Sequence, residues 1–522
     1  MSLIKSVATV GGWTSVSRVL GFVRDILIAR FLGASMAADA FFVALRFPNL
    51  FRSFFAEGTL NVAFVPLFSG DYHTKGKEVA LAFAKQACSV LFYVLLLFTF
   101  IVEIAMPVVV FILAPGFDTI PGKLALTADL TRITFPFLLC ISVVSLLSGM
   151  LNAVGRFWVA AFVPIILNLS MIGALFIGAA FFEGAYVPAY ALSIGVCVAG
   201  VLEVLFLCWA LKRAQLGFAG LESPLILFRL PKEVKELMRK MIPGIFGAGV
   251  YQINLFLDTF FVSFVGAGAI SWLNYANHVF QLPIGIIGTA IGTALLPVLS
   301  KHIKLGEIKE ANHQLNRGLE LSIAMALASM IGLLFLSLPV IRILFERGLF
   351  TPSDSYHTAR ALWVFGLGLP AYMMTKTLSP FFYARGDTAT PVKIAVVGVI
   401  INAILAVSLM PFLKYVGIAL ATTIAVWINA LQYVIILKRR GDFSLDATFL
   451  FRAKGIGISA LLMVGALAMC RLWIPLEGQG LMAFMALMLV MGIGGGIFLG
   501  GLICTRVIDK HSLKLLLKKG AK

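Results

Sequence analysis

The chain has 522 residues, of which 60% are hydrophobic and only 13% charged, with a mean hydropathy of +1.00. An ordinary soluble domain carries about 25% charged residues and covers its core with a polar skin that this composition cannot supply. A soluble enzyme, a secreted disulfide scaffold and a disordered chain are thereby excluded, and the expected class is an all-α polytopic membrane protein. The net charge of +18 does not mark a nucleic-acid domain, because the basic residues are spread over short loops between apolar runs.

A span needs roughly 20 apolar residues to cross the hydrocarbon layer. Taken in chain order, the apolar runs predict 14 spans near 7–33, 37–69, 80–114, 125–153, 157–182, 185–211, 237–265, 269–300, 315–345, 357–384, 391–412, 415–438, 453–473 and 480–505. The first run is expected to be retained, since it holds Arg18 and Arg24 and lacks a small-residue cleavage pattern. With both termini cytoplasmic, 29 Lys and Arg fall in inside loops and tails. The opposite loops and span ends hold seven: Lys123, Arg132, Arg342, Arg347, Arg360, Lys414 and Arg471. That asymmetry sets the expected orientation.

The polar interval after the sixth span divides the chain into an N-terminal lobe (1–212, spans 1–6), a cytoplasmic linker (213–236) and a C-terminal lobe (237–440, spans 7–12). Residues 441–522 add two further spans and a basic tail. Two six-helix lobes around a central cavity is a common transporter plan. All six cysteines lie in or beside apolar runs without CxxC spacing, and read as small hydrophobes.

Six basic residues fall inside spans: Arg18, Arg24, Arg30, Arg46, Arg52 and Lys376. A charge at span centre costs about 2.5–3.5 kcal/mol on insertion scales, so such residues mark function by default. Asp25, Asp39 and Glu57 share the first two spans with five of these cations, leaving a local excess of positive charge. Guanidinium forks suit phosphate oxygens, so Arg18, Arg24 and Arg52 are the candidate anion-binding groups. Arg30, near a span end, is expected to snorkel, and Arg46 divides evenly between pairing and binding. Farther along, Asp258 with Asn254, and Asn402 and Thr422, place oxygens at membrane depth. They could hold Na⁺ or carry a proton, or equally bond helix to helix. His278 and Asn277 interrupt another apolar run, and Glu103 reads as a span-end or paired carboxylate.

No GxxxxGK[ST] loop, HExxH or DxD motif occurs, so ATP hydrolysis by a phosphate loop and metal-dependent chemistry are not expected. Transport is the better reading, with no cofactor beyond Na⁺ or H⁺ as the candidate coupling ion.

The stretch 17–66, SRVLGFVRDILIARFLGASMAADAFFVALRFPNLFRSFFAEGTLNVAFVP, strongly resembles the opening of the MurJ (MviN) lipid II flippase family. The similarity continues through APGF (114–117), TFPFL (134–138), LNAVGRF (151–157), QLPIGIIGTAIGTALLP (281–297), ERGLFT (346–351) and FFYARGDTATPVKI (381–394). The resemblance implies the fold of the multidrug/oligosaccharidyl-lipid/polysaccharide exporter superfamily, with the two final helices forming a groove for a polyprenyl tail. It implies a substrate, undecaprenyl-diphosphate-MurNAc-pentapeptide-GlcNAc, moved from the inner to the outer leaflet of a bacterial cytoplasmic membrane for peptidoglycan synthesis. Arg18, Arg24 and Arg52 match the family's cavity arginines, Asp39 and Glu57 their acidic companions, and Lys376 its lysine in the tenth span. Where relatives commonly read YADR, this sequence reads Tyr275, Ala276, Asn277, His278, replacing a fixed positive charge by a histidine. The family's cation site is matched in part by Asp258, Asn402 and Thr422, with Ala406 where a second carboxylate is expected. Membrane lipids and cell-wall synthesis proteins are the implied partners, not nucleic acid. The competing readings are a cation-coupled exporter of another lipid-linked oligosaccharide or of drugs, an enzyme acting on undecaprenyl diphosphate, and a non-transporting scaffold.

Overall fold

The structure, a computed structural model, describes residues 3–55, 59–217, 220–476, 478 and 480–507. Among the described residues every regular element is helical and no strand occurs. In chain order the first helices are α1 (Leu3–Leu32), α2 (Met36–Phe55), α3 (Thr59–Thr74), α4 (Lys77–Ile104) and α5 (Met106–Leu113). They are followed by α6 (Lys123–Thr134), α7 (Phe137–Ala153), α8 (Phe157–Phe181), α9 (Val187–Arg213) and α10 (Lys232–Ser263). Next come α11 (Ala269–Pro283), α12 (Thr289–Lys304), α13 (Ile308–Phe345), α14 (Pro352–Gly366) and α15 (Leu369–Ala384). The chain closes with α16 (Ala389–Leu413), α17 (Tyr415–Arg439), α18 (Ala447–Trp473) and α19 (Leu481–Cys504).

Ten helical stretches among the described residues are long and apolar enough to cross a membrane. The charge-bearing α1 and α2 are not among them. Several apolar runs are broken where the backbone demands it. The run 80–114 divides at Ala105, because Pro107 in the first turn of α5 has no N–H to continue the ladder. After Pro283, a π-helical turn over Ile284–Gly288 joins α11 to α12. Side chains close two exposed helix starts. At α14, Thr351 and Asp354 form a capping box, and at α18 Asp446 accepts the Phe449 N–H at 2.6 Å.

The chain forms two compact units. The first comprises residues up to 271 together with 347–350. In it α1 packs along α8, α8 along α9, α2 along α6, and α10 against α2 and α3. Phe47 and Phe135 stack at 5.0 Å within a cluster that includes Leu95, Val102, Met106 and Leu138. The segment 347–350 is held to the end of α1 through the Leu349 N–H, which donates to the Arg30 carbonyl at 2.9 Å. Gly33 and Gly348, both at positive φ, permit this approach; a Cβ on either would overlap the opposing backbone carbonyl.

The second unit comprises 272–346 and everything from 351 onward. Here α16 pairs with α17, α12 with α15, and α13 runs beside α14, α15, α18 and α19. Leu336 and Ile343 of α13 join Met463 and Leu467 of α18 and Leu487, Val490 and Phe498 of α19 in one apolar cluster. Between membrane helices, close packing and hydrogen bonds hold the assembly, because lipid is as apolar as the helix faces.

Candidate functional site: charged side chains of the first unit

Packing of α1 along α8 brings Arg24 to an amide partner. The Arg24 Nε and Nη2 donate to Asp25 Oδ1 at 3.0 and 2.8 Å, and Nη1 donates to Asn168 Oδ1 at 2.9 Å. Asn168 is oriented in turn by its own amide, which donates to the Ser17 carbonyl at 3.1 Å. Gly21, one turn before Arg24, faces the Asn168 amide. The Arg24 side chain keeps 18% of its surface open, against 9% for Asp25. A guanidinium has five N–H donors, so this clamp fixes the plane of the fork and leaves an Nη2 hydrogen for a further acceptor.

Arg18 stands exposed on the same helix and makes no ion pair or hydrogen bond among the described residues. Arg52 is half-buried on α2, and its charge reaches the carboxylate of Glu203 on α9. Glu203 is 1% exposed, and its Oε2 has no hydrogen-bond partner among the described residues. Arg46 donates to Thr259 Oγ1 of α10 at 2.5 Å. Arg30 is exposed in the last turn of α1, with its guanidinium 5.8 Å from the Phe31 ring centroid, as a snorkelling side chain would be. Glu57 lies outside the described residues.

Asp39 is fully occluded. Its Oδ2 accepts from Lys123 Nζ at 2.7 Å and from the Gly268 N–H at 2.7 Å. Its Oδ1 accepts from the Ser271 N–H at 2.9 Å and the Ser271 hydroxyl at 2.6 Å. Lys123 is equally buried, and its ammonium sits 4.0 Å from the Phe117 ring centroid. The pair bolts α2 to the start of α6 and to the turn between α10 and α11. Lys123, counted from sequence among the opposite loops and span ends, is the first residue of α6 and fully buried.

Lys376 and His278 belong to the second unit, as do Asn402 and Thr422, whereas Asp258 belongs to the first. Lys376 is exposed on α15 and forms no ion pair among the described residues. Its backbone meets α12 closely, since a Cβ on Gly292 would lie 2.8 Å from the Lys376 carbonyl oxygen. His278 is half-buried on α11. Thr422 Oγ1 donates to Asn402 Oδ1 at 3.3 Å, joining α17 to α16, with Asn402 1% exposed and Ala406 fully buried. In α10, Asn254 Nδ2 donates to Asp258 Oδ2 at 3.2 Å.

Ionic clamps hold the helix ends of the second unit. Glu320 of α13, 5% exposed at its side chain, is bound by Arg317 and by Arg452 of α18, the latter at 3.1 Å. Arg317 also reaches Asp446 at 3.0 Å. Burial pushes the Asp446 carboxyl up, but the Phe449 N–H and Arg317 outweigh it and hold the group below its ordinary value. Asp387 likewise resists burial: the Thr390 hydroxyl and N–H and the Arg440 guanidinium bring it down to about 2.

Sequence reasoning missed Asn168, Glu203 and the partnership of Lys123. A lone carboxylate inside an apolar run was a usable signal for Glu203. An amide inside an uncharged run gives a weaker one for Asn168.

A family model described as lipid II flippase MurJ matches residues 28–507. The "Probable lipid II flippase MurJ" of Rhizobium tropici is 41% identical over 482 residues, covering 92% of this chain and 89% of that protein. The lipid II flippase MurJ of Burkholderia cenocepacia is 35% identical over 500 residues, covering 94% and 95% respectively. Among solved structures, a lipid II flippase MurJ in an inward closed conformation superposes with a TM-score of 0.78 at 26% identity, covering 94% of this chain and 97% of that one. An inward-facing multidrug transporter of the MATE family shares the fold, with a TM-score of 0.66 at 15% identity over 81% and 94% of the two chains.

Proposed function

Because this chain belongs to the MurJ lipid II flippase family, we propose that it carries lipid II from the inner to the outer leaflet of the bacterial cytoplasmic membrane. The observation that carries the mechanism is the Arg24 guanidinium, fixed by Asp25 and Asn168 yet still open to a further acceptor. A diphosphate crossing hydrocarbon bare would forfeit its hydration at prohibitive cost. Arg24, with Arg18 exposed six residues earlier on α1 and Arg52 on α2, replaces that hydration by charge-assisted hydrogen bonds. Lys376, exposed on α15, and His278, half-buried on α11, are the candidate donors of the second unit. Asp39 acts from a distance, holding α2 in register with α6.

In this reading fourteen spans form two six-helix lobes, and alternating exposure of the site to the two faces moves the head group. Helices α18 and α19 are added to α13 and guide the polyprenyl tail. The exposed apolar face of α19 formed by Phe484, Met485, Met488 and Leu489 is compatible with that role. The chain is a transporter with no catalytic centre, and Asp258, Asn402 and Thr422 are the candidate coupling groups for Na⁺ or H⁺. The test is reconstitution of an Arg24→Ala variant in vesicles loaded with lipid II, after correct insertion has been checked. Translocation should be lost; translocation at the unaltered rate would overturn the assignment.

A further inference from the structure

The stretch that leads into α10 is held against α4 through Glu222. Its N–H donates to Ser89 Oγ at 2.8 Å, its carbonyl accepts from the Tyr93 hydroxyl at 2.8 Å, and its carboxylate pairs with Lys85 at 3.1 Å. Ser223 caps the single 3₁₀ turn that follows, Pro224–Leu227, and this turn packs on the same helix. Two apolar side chains beside these contacts point away from the protein: Leu225 is 70% exposed and Phe228 86%. A pinned turn that holds such side chains outward needs an apolar medium to receive them.

The contacts on α4 set the depth of this turn. α4 is long and apolar enough to cross a membrane, and it turns Val94, Leu97, Phe100, Ile101 and Ile104 outward, the surface that meets hydrocarbon. Ser89 and Tyr93 stand just before that surface, and Lys85 one turn before Ser89. Glu222 therefore lies where α4 passes from head groups to acyl chains. From there the chain runs away from the hydrocarbon, because the charges of Glu233 and Glu236 at the start of α10 reach Lys75, just ahead of α4. Charge follows the same order. Arg229 and Lys232 are exposed and form no ion pair among the described residues. Lys235 and Arg239 continue that outward face of α10, opposite the buried Val234 and Leu237. Of the nearby carboxylates, Glu222 is taken by Lys85 and Glu236 by Lys240 at 2.7 Å.

We propose that residues 224–232 are an interfacial anchor for anionic lipid: Leu225 and Phe228 sink into the boundary between head groups and acyl chains, and Arg229 and Lys232 hold lipid phosphates beside them. Apolar side chains with a basic flank are what seat a segment in the plane of a leaflet. The uncompensated cations select anionic over zwitterionic head groups.

The full chain, with its six cysteines replaced by alanine, is spin-labelled at Phe228→Cys and reconstituted in phosphatidylcholine vesicles with or without phosphatidylglycerol. Power saturation compares collisions of the label with oxygen, which concentrates in hydrocarbon, and with a water-soluble nickel chelate present on both sides. Lys309→Cys, at an exposed position in the first turn of α13, is the aqueous reference. With phosphatidylglycerol, the oxygen-to-chelate ratio at 228 should exceed that at 309 by roughly tenfold. Omitting phosphatidylglycerol, or adding Arg229→Gln with Lys232→Gln, should lower it several-fold. In the unaltered chain, amide exchange over residues 225–230 should be several-fold slower with phosphatidylglycerol than without, a reading that needs no cysteine removed. A label at 228 as open to the chelate as at 309 in both lipids would overturn the proposal. So would an inserted label indifferent to phosphatidylglycerol and to the double variant, or amide exchange equal in the two lipids. Shielding found in native membranes but absent from vesicles of either lipid would give the surface to a protein partner and overturn it as well.

Discussion

Removing either partner of the Asp39–Lys123 bolt should destabilise the protein, and unequally. In Asp39→Asn, Lys123 stays fully buried with only an amide oxygen and the Phe117 ring in reach. With its oxygen kept on Lys123 and the Gly268 N–H, which share Oδ2, the new amide turns its NH₂ toward the Ser271 N–H. Leaving one partner of a buried pair uncompensated costs about 3–5 kcal/mol. In Lys123→Met, Asp39 keeps three donors, from Gly268 and Ser271, and loses one charge-assisted hydrogen bond. That loss is worth about 1.5–3 kcal/mol. The double variant should cost less than the two singles together, because the second change removes the group that the first left stranded. The assay is the midpoint of heat-induced loss of the monodisperse peak in detergent, read for all four proteins of the cycle. Asp39→Asn should lower it by roughly 5–10 °C and Lys123→Met by less. Two single variants melting with the wild type, or Lys123→Met as the weaker protein, would refute this assignment of energy.

Other substitutions probe the remaining contacts. Arg24→Lys keeps the charge but loses the fork held by Asp25 and Asn168, and should cut lipid II translocation about tenfold or more in vesicles. Asn168→Ala releases one Nη1 bond while leaving the charge in place, so translocation should fall less than in Arg24→Ala, with melting changed by about 1 kcal/mol. Glu320→Gln should cost about 2 kcal/mol in thermal stability, since Arg317 keeps Asp446 while Arg452 loses its carboxylate. The Asp387 carboxyl is depressed in the folded protein, so its stabilisation is complete above the ordinary carboxylate pKa. It disappears as pH falls from about 4 toward 2. The melting difference between wild type and Asp387→Asn should be constant from pH 7 to 5 and shrink below pH 4.

Much of the helical layout was legible because charged residues end apolar runs sharply. The expected span 157–182 coincides with α8, Phe157–Phe181, and 415–438 with α17, Tyr415–Arg439. Breaks inside a run were harder to see: 80–114 reads as one apolar stretch, and only the missing N–H of Pro107 separates α4 from α5. Of the candidate site, the arginines announced themselves by their cost in a membrane, while their partners did not. Lys123 stands beside Gly122 at a helix start and looks like a loop charge, yet its carboxylate lies 84 positions earlier. Asn168 sits in a run without charge, and its bond to Arg24 spans 144 positions. Hydropathy carries no record of such pairings, which arise only when α1 packs on α8 and α2 on α6.

The decisive measurement is the transbilayer movement of lipid II in vesicles containing the purified protein, compared among wild type, Arg18→Ala, Arg24→Ala and Arg52→Ala. With guanidinium groups carrying the diphosphate, wild-type vesicles should expose lipid II on both leaflets while each variant leaves it where it was loaded. Equal exposure in all four would contradict the account, and so would exposure no greater than in protein-free vesicles.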